Sequence, residues 1–164
     1  METKTLVHSK ERRVTKLFLG CILLGNILLS SCGQDAPSEC SDFLALPVAR
    51  QVEVFDNFPM EKQLHAYICD YRYSHPSNAS LASALAERGE TIVPLLIVRL
   101  EQEDEHSQEA IIHIFELMYE RKHLQGREDI VKSIQHVISN MRTPGVKEVS
   151  QGMLKNIEGQ ISKP

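Results

Sequence analysis

The sequence lacks an apolar run long enough to span a bilayer. Its longest apolar stretch, Leu17–Leu29, is interrupted by Gly20, Gly25 and Asn26, whereas a spanning helix needs about 20 apolar residues to cross roughly 30 Å of hydrocarbon. A surplus of positive charge is also missing: 18 Lys and Arg stand against 22 Asp and Glu, a net −4. Gripping phosphate backbones or anionic headgroups by charge needs the opposite balance, so nucleic acid is excluded as a partner and so is simple electrostatic adhesion to lipid. No Gly-x-Ser-x-Gly elbow, phosphate-cradling glycine loop or Cys/His nucleophile pair stands out. On that ground no catalytic residue is assigned and no cofactor is implied.

What is present begins at the amino end. Five basic side chains (Lys4, Lys10, Arg12, Arg13 and Lys16) precede the short apolar stretch, which runs into Leu29-Ser30-Ser31-Cys32-Gly33. A basic segment, a short apolar segment and small residues before a cut site make a secretory signal. The last four positions of that signal, Leu29, Ser30, Ser31 and Cys32, resemble the bacterial lipobox. The resemblance implies a signal peptide over residues 1–31. It also implies that Cys32 becomes the new amino terminus and is acylated, anchoring the protein in a membrane of the cell envelope. One acyl chain holds weakly and two or three hold firmly, at about 0.8 kcal/mol per buried methylene. Gly33, in place of an Asp after the lipid-bearing cysteine, favours the outer membrane over the inner by analogy with enteric-type bacteria.

Cleavage would remove five bases but only Glu2 and Glu11, which carries the formal charge from −4 to about −7 at reference pKa values. Of the four cysteines, Cys21 would leave with the signal and Cys32 would carry lipid. Cys40 and Cys69 remain as an even pair in an oxidising compartment, either bridged or as two buried thiols.

Residues 32–58 are expected to be the lipid-bearing cysteine, a polar tether over 33–41 and an irregular lead-in. Within the lead-in, Val48, Arg50, Val52 and Val54 suit a short extended piece. Phe43-Leu44-Ala45-Leu46 suits a helix stopping before Pro47 equally well. From residue 59 to 164 the pattern is helical. Asn57 is placed as a cap with Pro59 near the first turn, and Met60, Leu64, Tyr67, Ile68 and Tyr71 then recur at helical spacing. A second helix starts near Pro76-Ser77 and stops at Gly89. The third, over Ile92–Leu100, takes Pro94 in its first turn and is apolar nearly all round, so it should be the most buried element. Three more follow: one with Ile111, Ile114, Phe115, Met118 and Tyr119, stopped by Gly126; one with Ile130, Val131, Ile134, Val137, Ile138 and Met141; and one with Val149, Met153, Leu154, Ile157 and Ile161.

The stretch Leu85-Ala86-Glu87-Arg88-Gly89-Glu90-Thr91-Ile92-Val93-Pro94-Leu95-Leu96 resembles the turn of a HEAT-type repeat, with a glycine stop, a proline first turn and aliphatics shared between two helices. The fold class is therefore all-α, either a short stack of antiparallel helix pairs of HEAT-like form or an irregular six-helix bundle.

Chemistry-bearing residues are sparse. His65 and Cys69 lie four apart on one helix with His75 nearby, a spacing that can present two metal ligands. Because Cys69 has a candidate disulfide partner in Cys40 and no dense His/Cys cluster completes the set, no metal is assigned. His106 and His113 are expected as surface or cap residues, and Glu101, Glu103, Asp104 and Glu105 as a solvated turn. The remaining reading is a non-catalytic binding or scaffolding module for another envelope protein, through the helices around 90–103 and 127–142, with Arg99, Lys132 and His136 as rim contacts. The alternative is an envelope hydrolase or small-ligand capture protein whose site is scattered along the chain.

Overall fold

The computed structural model describes residues 36–162. The expected signal peptide over residues 1–31 and the expected lipid-bearing Cys32 lie outside them. Helix formation begins earlier than the tether reading allows. Pro47 and its flanking residues separate two short helices, α1 (Ser38–Leu44) and α2 (Val48–Asp56), where an irregular or extended lead-in was one expectation. Prolines 37 and 47 sit at the N-cap positions, where a missing N–H costs nothing. Valines at every second position suggested a strand, but the residues that become buried in α2 are Gln51 and Phe55, four apart on one helical face. The amide of Gln51 donates to the Leu46 carbonyl at 3.1 Å, closing the α1–α2 turn from inside.

Six further helices follow: α3 (Met60–Tyr73), α4 (Ala79–Ala86), α5 (Val93–Gln102), α6 (Glu105–Glu120), α7 (Glu128–Asn140) and α8 (Pro144–Ile161), with a single 3-10 turn at Gly89–Thr91. The residue at the N-cap of α3 is Pro59 and not Asn57. Asn57 instead ends α2 and donates its side-chain amide to the Glu53 carbonyl at 2.8 Å. Asn78 caps α4, its side chain accepting from the Ser80 N–H at 3.1 Å. Gly89 and Gly126 adopt φ values of +55° and +77°, the left-handed conformation that a side chain disfavours and that ends a helix cheaply. Pro94 lies in the first turn of α5.

Among the described residues there is no strand, and the fold is an all-α bundle arranged as a stack of helix pairs. The pairs are α3 with α4, α5 with α6 and α7 with α8. Helices α4, α6 and α8 form one row, and α5 packs on α7 in the other, while α1 and α2 close the stack against α3 and α4. No helix of the described residues is long and apolar enough to cross a membrane.

The core centres on α6, which touches α3, α4, α5 and α8. Eight of its side chains are buried, including Ile111, Ile112, Ile114, Phe115 and Met118. This corrects the expectation for Ile92–Leu100. Ile92, Leu96 and Leu100 are fully buried, but only Val93, Leu96 and Leu100 within α5 are, and Val98 is 49% exposed. Helix α5 packs on α6 and α7, fewer helices than α6 touches, whatever its composition. Val149 departs from expectation in the same way: it is 48% exposed, and α8 buries Val146, Ser150, Met153 and Ile157 instead.

Arginines tie the pairs together. Arg121, just after α6, reaches back to α4, donating to the Ser83 carbonyl at 3.1 Å and pairing with Glu87 at 2.6 Å. Arg72 at the end of α3 pairs with Asp104 at 2.5 Å.

Candidate functional site

The α5–α6 turn is two residues long, so consecutive acids emerge on a tight bend. Glu101, Glu103, Asp104 and Glu105, together with Gln108 of α6 and His136, Val137 and Asn140 of α7, line an open cleft of about 700 Å³. Most of these acids hold the turn. Asp104 caps α6, accepting from the N–H groups of His106 and Ser107 at 3.1 and 3.2 Å. Burial opposes ionisation at Asp104, but the Ser107 N–H and the Arg72 guanidinium outweigh it and hold the carboxyl below its ordinary range. Glu105 accepts from the backbone N–H groups of Arg142 and Thr143 at 2.7 and 2.8 Å, clamping the α7–α8 turn onto the start of α6. Hydrogen bonding from Thr143 and then from Arg142 draws its pKa down to about 2. Glu103 pairs with Arg99 at 2.5 Å. Glu101 alone has no ion pair or side-chain hydrogen bond among the described residues.

Of the three residues expected at a contact rim, His136 lines this cleft. Arg99 is held by Glu103 along its own helix, and Lys132 stands exposed on α7. The structure thus brings His136, but not Arg99 or Lys132, into the wall of the cleft.

A second polar cluster lies between α3 and α6. The Tyr67 hydroxyl is 2.7 Å from His113 Nδ1, and the Tyr71 hydroxyl donates to Glu109 at 2.8 Å. The Tyr67–Tyr71 and Tyr71–His113 ring centroids are each 5.9 Å apart. Burial lowers the His113 pKa against the pull of Glu116 and Glu109, and burial likewise raises that of Tyr67. A neutral imidazole accepting a hydrogen bond from the neutral phenol at Nδ1 fits both directions. His113 is therefore not the surface residue its spacing from His106 suggested. The cluster forms because α3 packs on α6, 46 residues along the chain, and no local signal announces it.

A third cluster joins the first and third helices. Cys40 of α1 and Cys69 of α3 are bridged, with Cα atoms 5.5 Å apart. His65 Nε2 lies 3.6 Å from Cys69 Sγ. The ligating atoms of Cys40, His65 and Cys69 all fall within 4.8 Å of one another. The sequence spacing singled out His65 and Cys69 correctly but offered His75 as the companion. Cys40 takes that place, brought in by the packing of α1 on α3, and His75 is exposed at the α3–α4 turn.

Comparison with protein-family models, with curated proteins and with solved structures found no match.

Proposed function

We propose that this chain is a lipid-anchored protein of the bacterial cell envelope, held through Cys32, and that its helical domain is a non-catalytic docking module for another envelope protein. The anchor rests on the lipobox resemblance of Leu29–Cys32, and Gly33 makes the outer membrane the favoured address. One observation carries the docking role. Three of the four acids lining the cleft between the α5–α6 turn and α7 are engaged in capping, clamping and ion pairing. That leaves an open surface with His136 on its wall and Glu101 as its one unengaged acid among the described residues. An acidic chain on a short tether suits a protein that is kept near its partner by mass action.

The test is site-specific photo-crosslinking in the intact envelope. A crosslinker at Lys132 or His136 should give one discrete adduct, whereas one at Val48, in α2 and away from α7, should give none. Lys132→Glu should weaken partner capture while changing stability by less than about 0.5 kcal/mol. Hydrolytic turnover that disappears on replacing His136 or Glu101 would instead establish an enzyme.

A further inference from the structure

We infer that reduction of the Cys40–Cys69 bridge opens a three-ligand site, Cys40, Cys69 and His65, for a thiophilic metal ion of the zinc class. The inference is independent of the docking reading.

The geometry comes first. In a tetrahedral zinc site, Zn–S distances of about 2.3 Å and Zn–N distances of about 2.0–2.1 Å place a sulfur and a nitrogen ligand roughly 3.6 Å apart. The observed His65 Nε2 to Cys69 Sγ separation is 3.6 Å. Those two ligands lie four apart on one face of α3, and that helix is fixed by the burial of Leu64, Ala66, Tyr67 and Ile68 around them. Two corners of the site therefore exist before any ion arrives. The third, Cys40, is held by α1 with its Cα 5.5 Å from that of Cys69. Two thiolates on one zinc sit roughly 3.8 Å apart by the same bond lengths, a separation that side-chain rotation supplies without moving either helix.

Access and chemistry agree. Both cysteines are buried, at 3% and 2% exposure, while His65 is half-buried and reaches solvent. Thus the imidazole edge is the entrance to an otherwise closed site. Two thiolates and one neutral imidazole select zinc-like or copper(I)-like ions over calcium or magnesium. A fourth position is left for water or an exogenous ligand.

The steps balance. A dithiol donor gives two electrons and two protons to the bridge, its own sulfurs joining as the Cys40–Cys69 bond breaks. Metal binding then displaces the two thiol protons to solvent, and His65 contributes the Nε2 lone pair. In either state α1 stays tied to α3, covalently when oxidised and through the ion when reduced. The device captures metal under reducing conditions and releases it when a disulfide oxidant takes back two electrons and, with two protons from solvent, leaves as a dithiol while the Cys40–Cys69 bond re-forms.

The test uses the full chain in detergent, with Cys21→Ala and Cys32→Ala so that Cys40 and Cys69 supply the sole thiols. Protein reduced with a phosphine, then freed of it under nitrogen, is titrated with Co²⁺ and with Zn²⁺ beside the oxidised form. The reduced form should bind one equivalent, with thiolate-to-cobalt charge transfer and the visible bands of tetrahedral cobalt, and the oxidised form none. His65→Ala should lower the affinity about tenfold or more, since even outer-shell partners of a ligand are worth that much, and should alter the visible bands. Binding that is equal in both redox states, no binding in the reduced state, or a spectrum and affinity indifferent to His65→Ala would each overturn the proposal. Circular dichroism accompanies the titration. If reduction unfolds the chain, recovery of the helical signal on adding metal supports the site, and failure to recover overturns it.

Discussion

The sharpest test of the fold compares Phe115 with Val98. Phe115 is fully buried in α6, the helix that touches α3, α4, α5 and α8. Truncation to Ala removes a ring from a site whose walls belong to several helices, and such walls cannot collapse together. Phe→Ala changes of this kind cost about 3–5 kcal/mol, part transfer energy and part cavity. A domain of this size holds about 5–15 kcal/mol in total, so roughly a fifth or more of the stability is at stake. Val98 belongs to α5, whose composition suggested the deepest burial, yet it is 49% exposed. Val98→Ala should cost no more than about 0.5 kcal/mol. Urea unfolding followed by far-ultraviolet circular dichroism separates the two. With a slope of about 2 kcal/mol per molar urea, Phe115→Ala should lower the midpoint by roughly 2 M at unchanged slope, and Val98→Ala by a few tenths. If Phe115→Ala cost under about 1 kcal/mol, or the two variants cost the same, α6 would not be the centre of the core.

Further outcomes follow from the polar contacts. Replacing Cys40 and Cys69 together by Ala should lower stability by about 3–4 kcal/mol on the chain-entropy view of the closed loop, which spans a sequence separation of 29; thermal melts of the oxidised parent and the double variant measure it. The Glu105 carboxyl, drawn down to about 2 when folded, takes its proton first in the unfolded chain. The stability it contributes should be complete above about pH 4.5 and lost as pH falls from there through about 2, and Glu105→Gln should remove that part of the acid-unfolding profile. His113, lowered by burial from its ordinary 6.5, also protonates first when unfolded. Acidification below about pH 6.5 should therefore destabilise the native state, with the His113 ring shifts titrating later than those of a free histidine. Cys32→Ser should abolish palmitate incorporation, and continued labelling would remove the lipid anchor from the proposal.

The turns were the most legible part of the sequence. Gly89, Pro94 and Gly126 each mark a boundary that the structure respects, because their backbone restrictions act locally. Helix existence from residue 60 onward was legible for a similar reason: apolar residues three and four apart need no partner to be recognised. Two things were not. Val48, Val52 and Val54 fit either period, and the choice was made by Phe55 entering the core and Gln51 closing the α1–α2 turn. Composition ranked α5 above α6 in burial, but burial depends on the number of neighbours, and the order of helices in the rows decides that. The site followed the same division. Cys40 and Cys69 could be offered as a pair from their even number, and His65 placed beside Cys69 from its spacing. The Tyr67–His113 contact, the Arg72–Asp104 pair and the Glu105 clamp join residues 32 to 46 apart and exist only once helices are stacked.

The Cys40–Cys69 bridge also has a mechanical meaning. Any tether that holds this chain by its amino end, with a partner pulling on the stack, delivers its force at α1, a seven-residue helix with little to resist unravelling. The covalent bond passes that load directly to α3, so residues 41–68 are shunted out of the loaded path. Fully extended, they would add roughly 100 Å of contour at about 3.3–3.6 Å per residue. With the bridge intact, a stretched molecule cannot yield that length, and the first element to bear tension is a helix anchored in the core. Reduction with no metal bound moves the point of loading outward to the two weakest helices, turning a stiff mount into an extensible one.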